Sequence, residues 1–318
     1  MTDVQTAYRL VEAGDADQAV QLLERRASEG DAASLLELGV WFLDGRHVRR
    51  DLARARDCFR RAGELGATAA EQVYIAFLAN GIGGEANWQA AKGRLLKLAR
   101  HDRSAAQQLE LVEQMALDDD GNPRDPLIAR NLSSSPQVSV FEDFASPAEC
   151  EYLIGAAAPL LQQSVIVDPD TGQLRPHPIR TSDGAFFPWA AEDLVISALN
   201  RRIASASGTR TECGEPLQVL RYRPGQEYRP HFDALPAETN QRSYTMLVYL
   251  NDGYAGGETL FTRTGLTFAG AKGAGLLFRN TGPAGQPDPN AEHAGLPVLQ
   301  GEKFVASRWI RERPLVVS

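Results

Sequence analysis

Three short stretches, SEGDAAS (28–34), ELGATAA (64–70) and RHDRSAA (100–106), recur at a spacing in the mid-thirties and dictate what the first third of this chain can become. Between the first two stands LLELGVWFLDGRHVRRDLARARDCFRRAGELG, which reads as two apolar-striped helices joined by a glycine-containing turn. A helix pair of that length cannot bury its apolar face alone, so such units stack on one another. The pattern predicts an α-solenoid of helix-pair repeats over residues 1–117.

From 118 to 137 the periodicity disappears. DDDGNPRDPLIARNLSSSPQ mixes acids, Pro, Gly and Ser, and reads as a linker. Beyond it the period changes. VSVFEDFASPAECEYLIGAAAPLL suggests a short strand and a helix. After it come β-type runs, LQVLRYRP, YTMLVYLND, GETLFTRTG, LTFAG, GAGLLFRN and EKFVASRWI, divided by turn clusters. The expected second domain, residues 138–318, is a β sandwich or barrel of jelly-roll type with flanking helices. NDGYAGGETLF reads as a hairpin connection and AKGAG as another turn.

Composition bounds the partners. A chain of 318 residues suggests about two domains. The formal net charge of −8 argues against nucleic acid or an anionic membrane as a partner, because a phosphate-tracking surface needs excess Lys and Arg. No run of 18 apolar residues occurs, and the opening MTDVQTAYRLVEAGDADQ is already an amphipathic helix pattern, so neither a span nor a leader is expected. Cys58, Cys150 and Cys213 are scattered, odd in number and far from CxxC spacing; they read as reduced thiols of a cytoplasmic protein.

YRPHFD (228–233) places His231 and Asp233 two residues apart, where side chains on a strand point the same way. An acid two residues after a histidine arises by chance too readily to establish a metal site. His293, in AEHAGLPVLQGEKF, is the best third ligand, far enough downstream for the chain to cross a jelly roll and return. Two imidazoles and one carboxylate leave adjacent positions open on iron, although the same ligands also suit zinc. His177, in RPHPIR, has no partner spacing and reads as a loop residue. Ten residues beyond His293, Lys303 offers a cation. A 2-oxo dicarboxylate chelating the metal would bury its far carboxylate, which is costly unless a cation and hydrogen-bond donors meet it. Lys303 answers that need, with Thr259 and Tyr222 as hydroxyl donors.

VLRYRPGQEYRPHFD, RSYTMLVYLNDGYAGGETLF, KGAGLLF and HAGLPVLQGEKFVASRWIRE together resemble the catalytic domain of prolyl 4-hydroxylases, over roughly residues 138–314; IRTSDGAFF (179–187) resembles that family's Arg-Thr-Ser stretch. LELGVWFLDGRHVRRDLARARDCFRRAGELG resembles the Sel-one-like branch of tetratricopeptide repeats, arrays that usually bind protein or peptide on a concave face; the other reading of this region is a solubilising or dimerising appendage. The first resemblance implies a double-stranded β-helix and an enzyme that couples oxidative decarboxylation of 2-oxoglutarate to succinate with C–H hydroxylation. It makes His231, Asp233 and His293 the Fe(II) ligands, and it gives Lys303, Thr259 and Tyr222 to 2-oxoglutarate. Tyr228, Arg242 and Trp309 match positions lining a proline-peptide pocket. O2 is the second co-substrate and ascorbate a candidate reductant. Arg311 stands where peptidyl-proline enzymes can carry a histidine, which leaves the substrate less fixed than the reaction. The leading expectation is hydroxylation of a prolyl residue in a peptide or protein that the helical repeats help to contact. The alternatives are a dioxygenase acting on another residue or a small natural product, and a catalytically idle repeat scaffold or sensor. Oligomeric state is open.

Overall fold

The computed structural model describes residues 2–167, 174–176, 178–282 and 284–315. It divides into two compact units, residues 1–122 with 189–198, and residues 123–188 with 199–318. His177 lies outside the described residues.

The first unit is a chain of helices, α1 (Asp3–Glu12), α2 (Ala16–Ser28), α3 (Ala32–Asp44), α4 (Leu52–Glu64), α5 (Thr68–Asn80), α6 (Trp88–Leu98) and α7 (Arg103–Gln114). The repeat seen in the text is a repeat of helix ends. Asp51 and Asn87, 36 residues apart, cap α4 and α6 by accepting from the amides of Arg54 and Ala90. Gly45 and Gly81, also 36 apart, close α3 and α5 with φ of 73° and 69°, a left-handed conformation glycine adopts without strain. Small residues let the helices close up: a Cβ on Gly39 of α3 would stand 2.7 Å from the ring of Phe59 on α4. Residues 189–198 complete this unit. Asn80, at the end of α5, donates from Nδ2 to the carbonyl of Glu192 at 2.9 Å, and its Oδ1 accepts from Ser197 Oγ at 2.7 Å.

The second unit holds β1 (Arg130–Ser134), β2 (Gln137–Phe141), α8 (Pro147–Ala157), β3 (Gln162–Gln163), β4 (Val165–Val167), β5 (Leu174–Pro176), β6 (Asp183–Phe186), α9 (Leu194–Ser207, in part), β7 (Gln218–Tyr222), β8 (Tyr228–His231), β9 (Arg242–Tyr249), β10 (Ala255–Gly256), β11 (Thr259–Phe261), β12 (Thr267–Phe268), β13 (Gly275–Arg279), β14 (His293–Gly295), β15 (Val298–Gln300) and β16 (Lys303–Arg311). A large sheet runs in the order β1-β2-β13-β9-β16-β7-β6-β3, and a small one runs β12-β11-β14-β8. Every pairing is antiparallel, the jelly-roll arrangement the sequence predicts.

Two expectations need correction. The stretch read as linker, 118–137, contains β1, which pairs with β2. As an edge strand β1 is largely exposed, so RNLSS carries no apolar alternation to announce it. NDGYAGGETLF is not a hairpin connection. It carries the chain from β9 in the large sheet to β11 in the small one, which pairs instead with β12 and β14.

Between the sheets lies the core, with Val138, Val140, Leu276, Phe278 and Tyr249 from the large sheet meeting Phe261 from the small one. The inward row of β16 is Lys303, Val305, Ser307 and Trp309, at alternate positions. The intervening Ala306 and Arg308, and Met246 and Val248 on β9, are buried as well, so the central strands of the large sheet are covered on both faces.

Candidate metal centre

One cavity between the two sheets gathers Tyr222, Tyr228, His231, Asp233, Thr259, His293, Lys303 and Trp309. Of the nine residues singled out from sequence, eight line it. Arg242 does not: its guanidinium is 3.7 Å from the Trp309 ring centroid and held by Glu215 at 2.6 and 2.8 Å.

His231 closes β8 and His293 opens β14, and the register makes them direct cross-strand partners. A shift in register between His293 and Gly295 lets Tyr228 and His231, three residues apart, both turn inward. Asp233 lies beyond the end of β8 in a bend, so its convergence with His231 comes from the turn rather than from strand alternation. The ligand atoms of the three residues lie within 4.8 Å of one another, and all three side chains are nearly sealed from solvent.

Tautomers follow from the hydrogen bonds. His231 Nδ1 lies 2.8 Å from the carbonyl of Arg229, and His293 Nδ1 lies 3.0 Å from that of Ala291. A carbonyl only accepts, so each Nδ1 carries the proton and each Nε2 keeps a lone pair. Those Nε2 atoms stand 3.7 and 3.6 Å from Asp233 Oδ1 and Oδ2. Burial, and then the neighbouring imidazole of His293, push His231 down to about 4, so the ring is neutral at physiological pH. Burial alone would raise Asp233; positive charge placed at the two imidazoles, together with the Thr245 hydroxyl, outweighs it and holds the carboxyl below its ordinary range.

Lys303 is 4% exposed. Its ammonium donates to the carbonyl of Gly257 at 2.7 Å and faces the rings of Tyr249 and Tyr222 at 5.0 and 5.7 Å. No carboxylate pairs with it among the described residues. Burial lowers it to about 8, with the charge of Glu258 opposing. Thr259 Oγ1 and Tyr249 Oη are 2.8 Å apart, and burial pushes the Tyr222 hydroxyl up to about 12.

Sequence reading passed over several residues of this site. Thr245 donates to Asp233, Asn280 donates to Thr245, and Tyr249 reaches Thr259. Thr245, Leu247 and Tyr249 alternate along β9 toward the interior, but Met246 and Val248 between them are apolar and equally buried, so the run offered no signal for that face. Glu215, which holds Arg242 and also Arg311 at 2.6 Å, carries no local signature at all.

Residues 217–311 match a family model described as the 2OG-Fe(II) oxygenase superfamily. The chain is 40% identical over 201 residues to prolyl 4-hydroxylase 1 of Arabidopsis thaliana, covering 57% of this chain and 71% of that protein. A solved viral collagen prolyl hydroxylase from Paramecium bursaria Chlorella virus-1, in complex with 2-oxoglutarate, is 30% identical; the match covers 55% of this chain and 95% of that one, with a TM-score of 0.44. A Sel1 repeat protein from Oxalobacter formigenes is similar to the N-terminal helical region at 23% identity, covering 34% of this chain and 85% of that one, with a TM-score of 0.31. The chain belongs to the prolyl 4-hydroxylase family of 2OG-Fe(II) oxygenases. That family implies Fe(II), 2-oxoglutarate and O2. The donors fit: two imidazoles with Nε2 free of their backbone bonds and a carboxylate meet at one point, and among the described residues the cavity holds no thiolate to favour a softer ion and a buried ammonium without a carboxylate partner. Among the described residues, no helix is long and apolar enough to cross a membrane.

Proposed function

We propose that the chain hydroxylates a prolyl residue within a peptide or protein, with His231, Asp233 and His293 as the iron ligands. The observation that carries this reading is the meeting of those three side chains in one cavity with Lys303. Bound there, iron(II) with 2-oxoglutarate and O2 supplies oxidative decarboxylation to succinate and carbon dioxide together with oxygen insertion into a C–H bond.

The residues of the chain prepare that chemistry. Carbonyls of Arg229 and Ala291 hold the two Nδ1 protons, which leaves Nε2 of each imidazole for the metal. Asp233 stays ionised and supplies the compensating negative charge. Lys303 pairs with the distal carboxylate of 2-oxoglutarate, with Thr259 and Tyr222 as donors to the same group. The surrounding burial excludes water and strengthens that pairing. Tyr228 and Trp309 form the walls against which a prolyl ring packs, and Arg242 backs Trp309 from outside the cavity. The helical repeats present the peptide or a partner.

The test is succinate release from 2-oxoglutarate with a panel of proline-containing peptides against matched alanine peptides, followed by mass spectrometry for a gain of one oxygen. Stimulation by the proline peptides alone supports the reading. Succinate formed equally with every peptide, or a +16 Da product on a residue other than proline, overturns the prolyl assignment.

A further inference from the structure

We infer that Asn280 and Thr245 form a one-way hydrogen-bond relay that sets the orientation of Asp233, which makes both of them positioning residues for the metal centre. The inference rests on the assignment of Asp233 as a metal ligand.

The direction of the relay follows from proton counting. Thr245 Oγ1 lies 2.6 Å from Asp233 Oδ2, and Asn280 Nδ2 lies 2.9 Å from Thr245 Oγ1. An ionised carboxylate can only accept, so the single hydroxyl proton of Thr245 goes to Asp233. The hydroxyl must then accept from Asn280, whose amide nitrogen therefore faces it. A flipped amide would set two acceptors against each other. Asn280 is fixed at both ends of its peptide: its amide donates to the Ser243 carbonyl at 2.8 Å, and its carbonyl accepts from Asp288 at 2.9 Å.

The relay exists at a cost. Asn280 and Thr245 are each 1% exposed, and Asn280 Oδ1 has no hydrogen-bond partner among the described residues. A buried amide that leaves its oxygen unpaired is unfavourable unless its donor side is needed. Among the described residues the donor side has one use, which is Thr245.

The three ligands differ in what aims them. Each histidine is oriented by a backbone carbonyl two residues earlier, that of Arg229 within β8 and that of Ala291 in the turn before β14, which the backbone supplies whatever the side chains are. Asp233 sits in the bend after β8, and its only hydrogen-bond donor among the described residues is Thr245. With Oδ2 held by Thr245, Oδ1 is left unbonded at 3.7 Å from His231 Nε2. Asp233 is thus the ligand whose aim depends on side chains, and it can be disturbed without touching a ligand.

Binding of Co(II) to the full chain under anaerobic conditions, without substrate or turnover, tests this through affinity and the d–d absorption spectrum. Thr245→Val keeps the shape and removes the hydroxyl; it is expected to weaken Co(II) binding about 10- to 100-fold and to alter the spectrum. Thr245→Ser, which restores the donor, is expected to stay within about threefold of the parent, and Asn280→Ala to fall between the two. Parent-like affinity and spectrum in Thr245→Val overturn the inference. Should that variant not fold, Asn280→Ala decides on the same criterion. Failure of the unsubstituted chain to bind Co(II) would instead strike at the metal assignment itself, so the two failures are distinguishable.

Discussion

The guanidinium of Arg242 lies 3.7 Å over the ring of Trp309, and Glu215 grips its outer edge with both carboxylate oxygens. Glu215 also holds Arg311 at 2.6 Å, so one carboxylate steadies two cations beside the cavity wall. Arg311 stands where the family resemblance would allow a histidine. Its side chain is committed to Glu215 and to the carbonyl of Asn240.

Glu215→Ala should take the carboxylate from the largely buried guanidinium of Arg242, leave Arg311 with only Glu238 at 3.6 Å and the Asn240 carbonyl, and free the stack on Trp309. Breaking such a pair typically costs roughly 3–5 kcal/mol, and the partial exposure of this cluster puts the expected loss toward about 3. Denaturant unfolding reads that loss. Kinetics should show KM for a peptide substrate rising about tenfold, while KM for 2-oxoglutarate stays put. A selective rise in the latter would mean that the cluster serves the co-substrate instead.

Lys303→Met should have opposite effects on binding and on stability. The folded chain holds this ammonium near 8 against an unfolded value of about 10.4, so below pH 8 the charged form penalises the folded state by roughly 3 kcal/mol. Removing the charge relieves that penalty, and losing the bond to the Gly257 carbonyl returns about 1 kcal/mol of it. The expected result at pH 7, without co-substrate, is a protein roughly 2 kcal/mol more stable, with KM for 2-oxoglutarate raised at least a hundredfold. A thermal melt and a 2-oxoglutarate titration check the two halves separately.

The same group sets a pH dependence. Lys303 binds a carboxylate only when protonated, and in the absence of co-substrate it loses its proton as the pH rises through about 8. KM for 2-oxoglutarate should be flat below that value and climb about tenfold per pH unit above it, with kcat at saturation little changed. In Lys303→Met the slope should vanish. A slope that persists in the variant assigns the titration to another group.

In the helical unit, Gly39→Leu would drive a side chain into the Phe59 ring, which is itself fully buried. Overpacking of this kind costs roughly 1–3 kcal/mol. The variant should lower the melting temperature of the helical transition, read by far-UV circular dichroism. Gly93→Ala, where a Cβ meets nothing within 4 Å, is the matched control and should be neutral or slightly stabilising.

Legibility of the fold tracked how far each element is covered. The helix pairs announced themselves because their ends recur, with Gly45 and Asp51 returning as Gly81 and Asn87. That His231, Asp233, His293 and Lys303 line one cavity was readable from the H-x-D pair, the distal histidine and the lysine ten residues on, although the bend after β8, not strand alternation, turns Asp233 toward His231. The supporting residues were not. On β9, Met246 and Val248 are as buried as Thr245 and Tyr249, so the run YTMLVY shows no alternation from which an inward face could be picked. Asn280 and Glu215 act through space on residues 35 and 27 positions away, and no local pattern encodes such a contact. NDGYAGGETLF carries the turn residues of a hairpin, yet strand partners are chosen by the sheets and not by the turn, which sends the chain across the sandwich.

His231 and His293 are opposite numbers on neighbouring strands, and β14 is gripped on its other side through Phe261. Sliding β14 by a single step would swing His293 out of the barrel while leaving most backbone bonds remade. On the proposed ligand set, a chain zipped up out of step would be blind to iron even if compact, and uptake of the ion would double as a proofreader of how the barrel was closed.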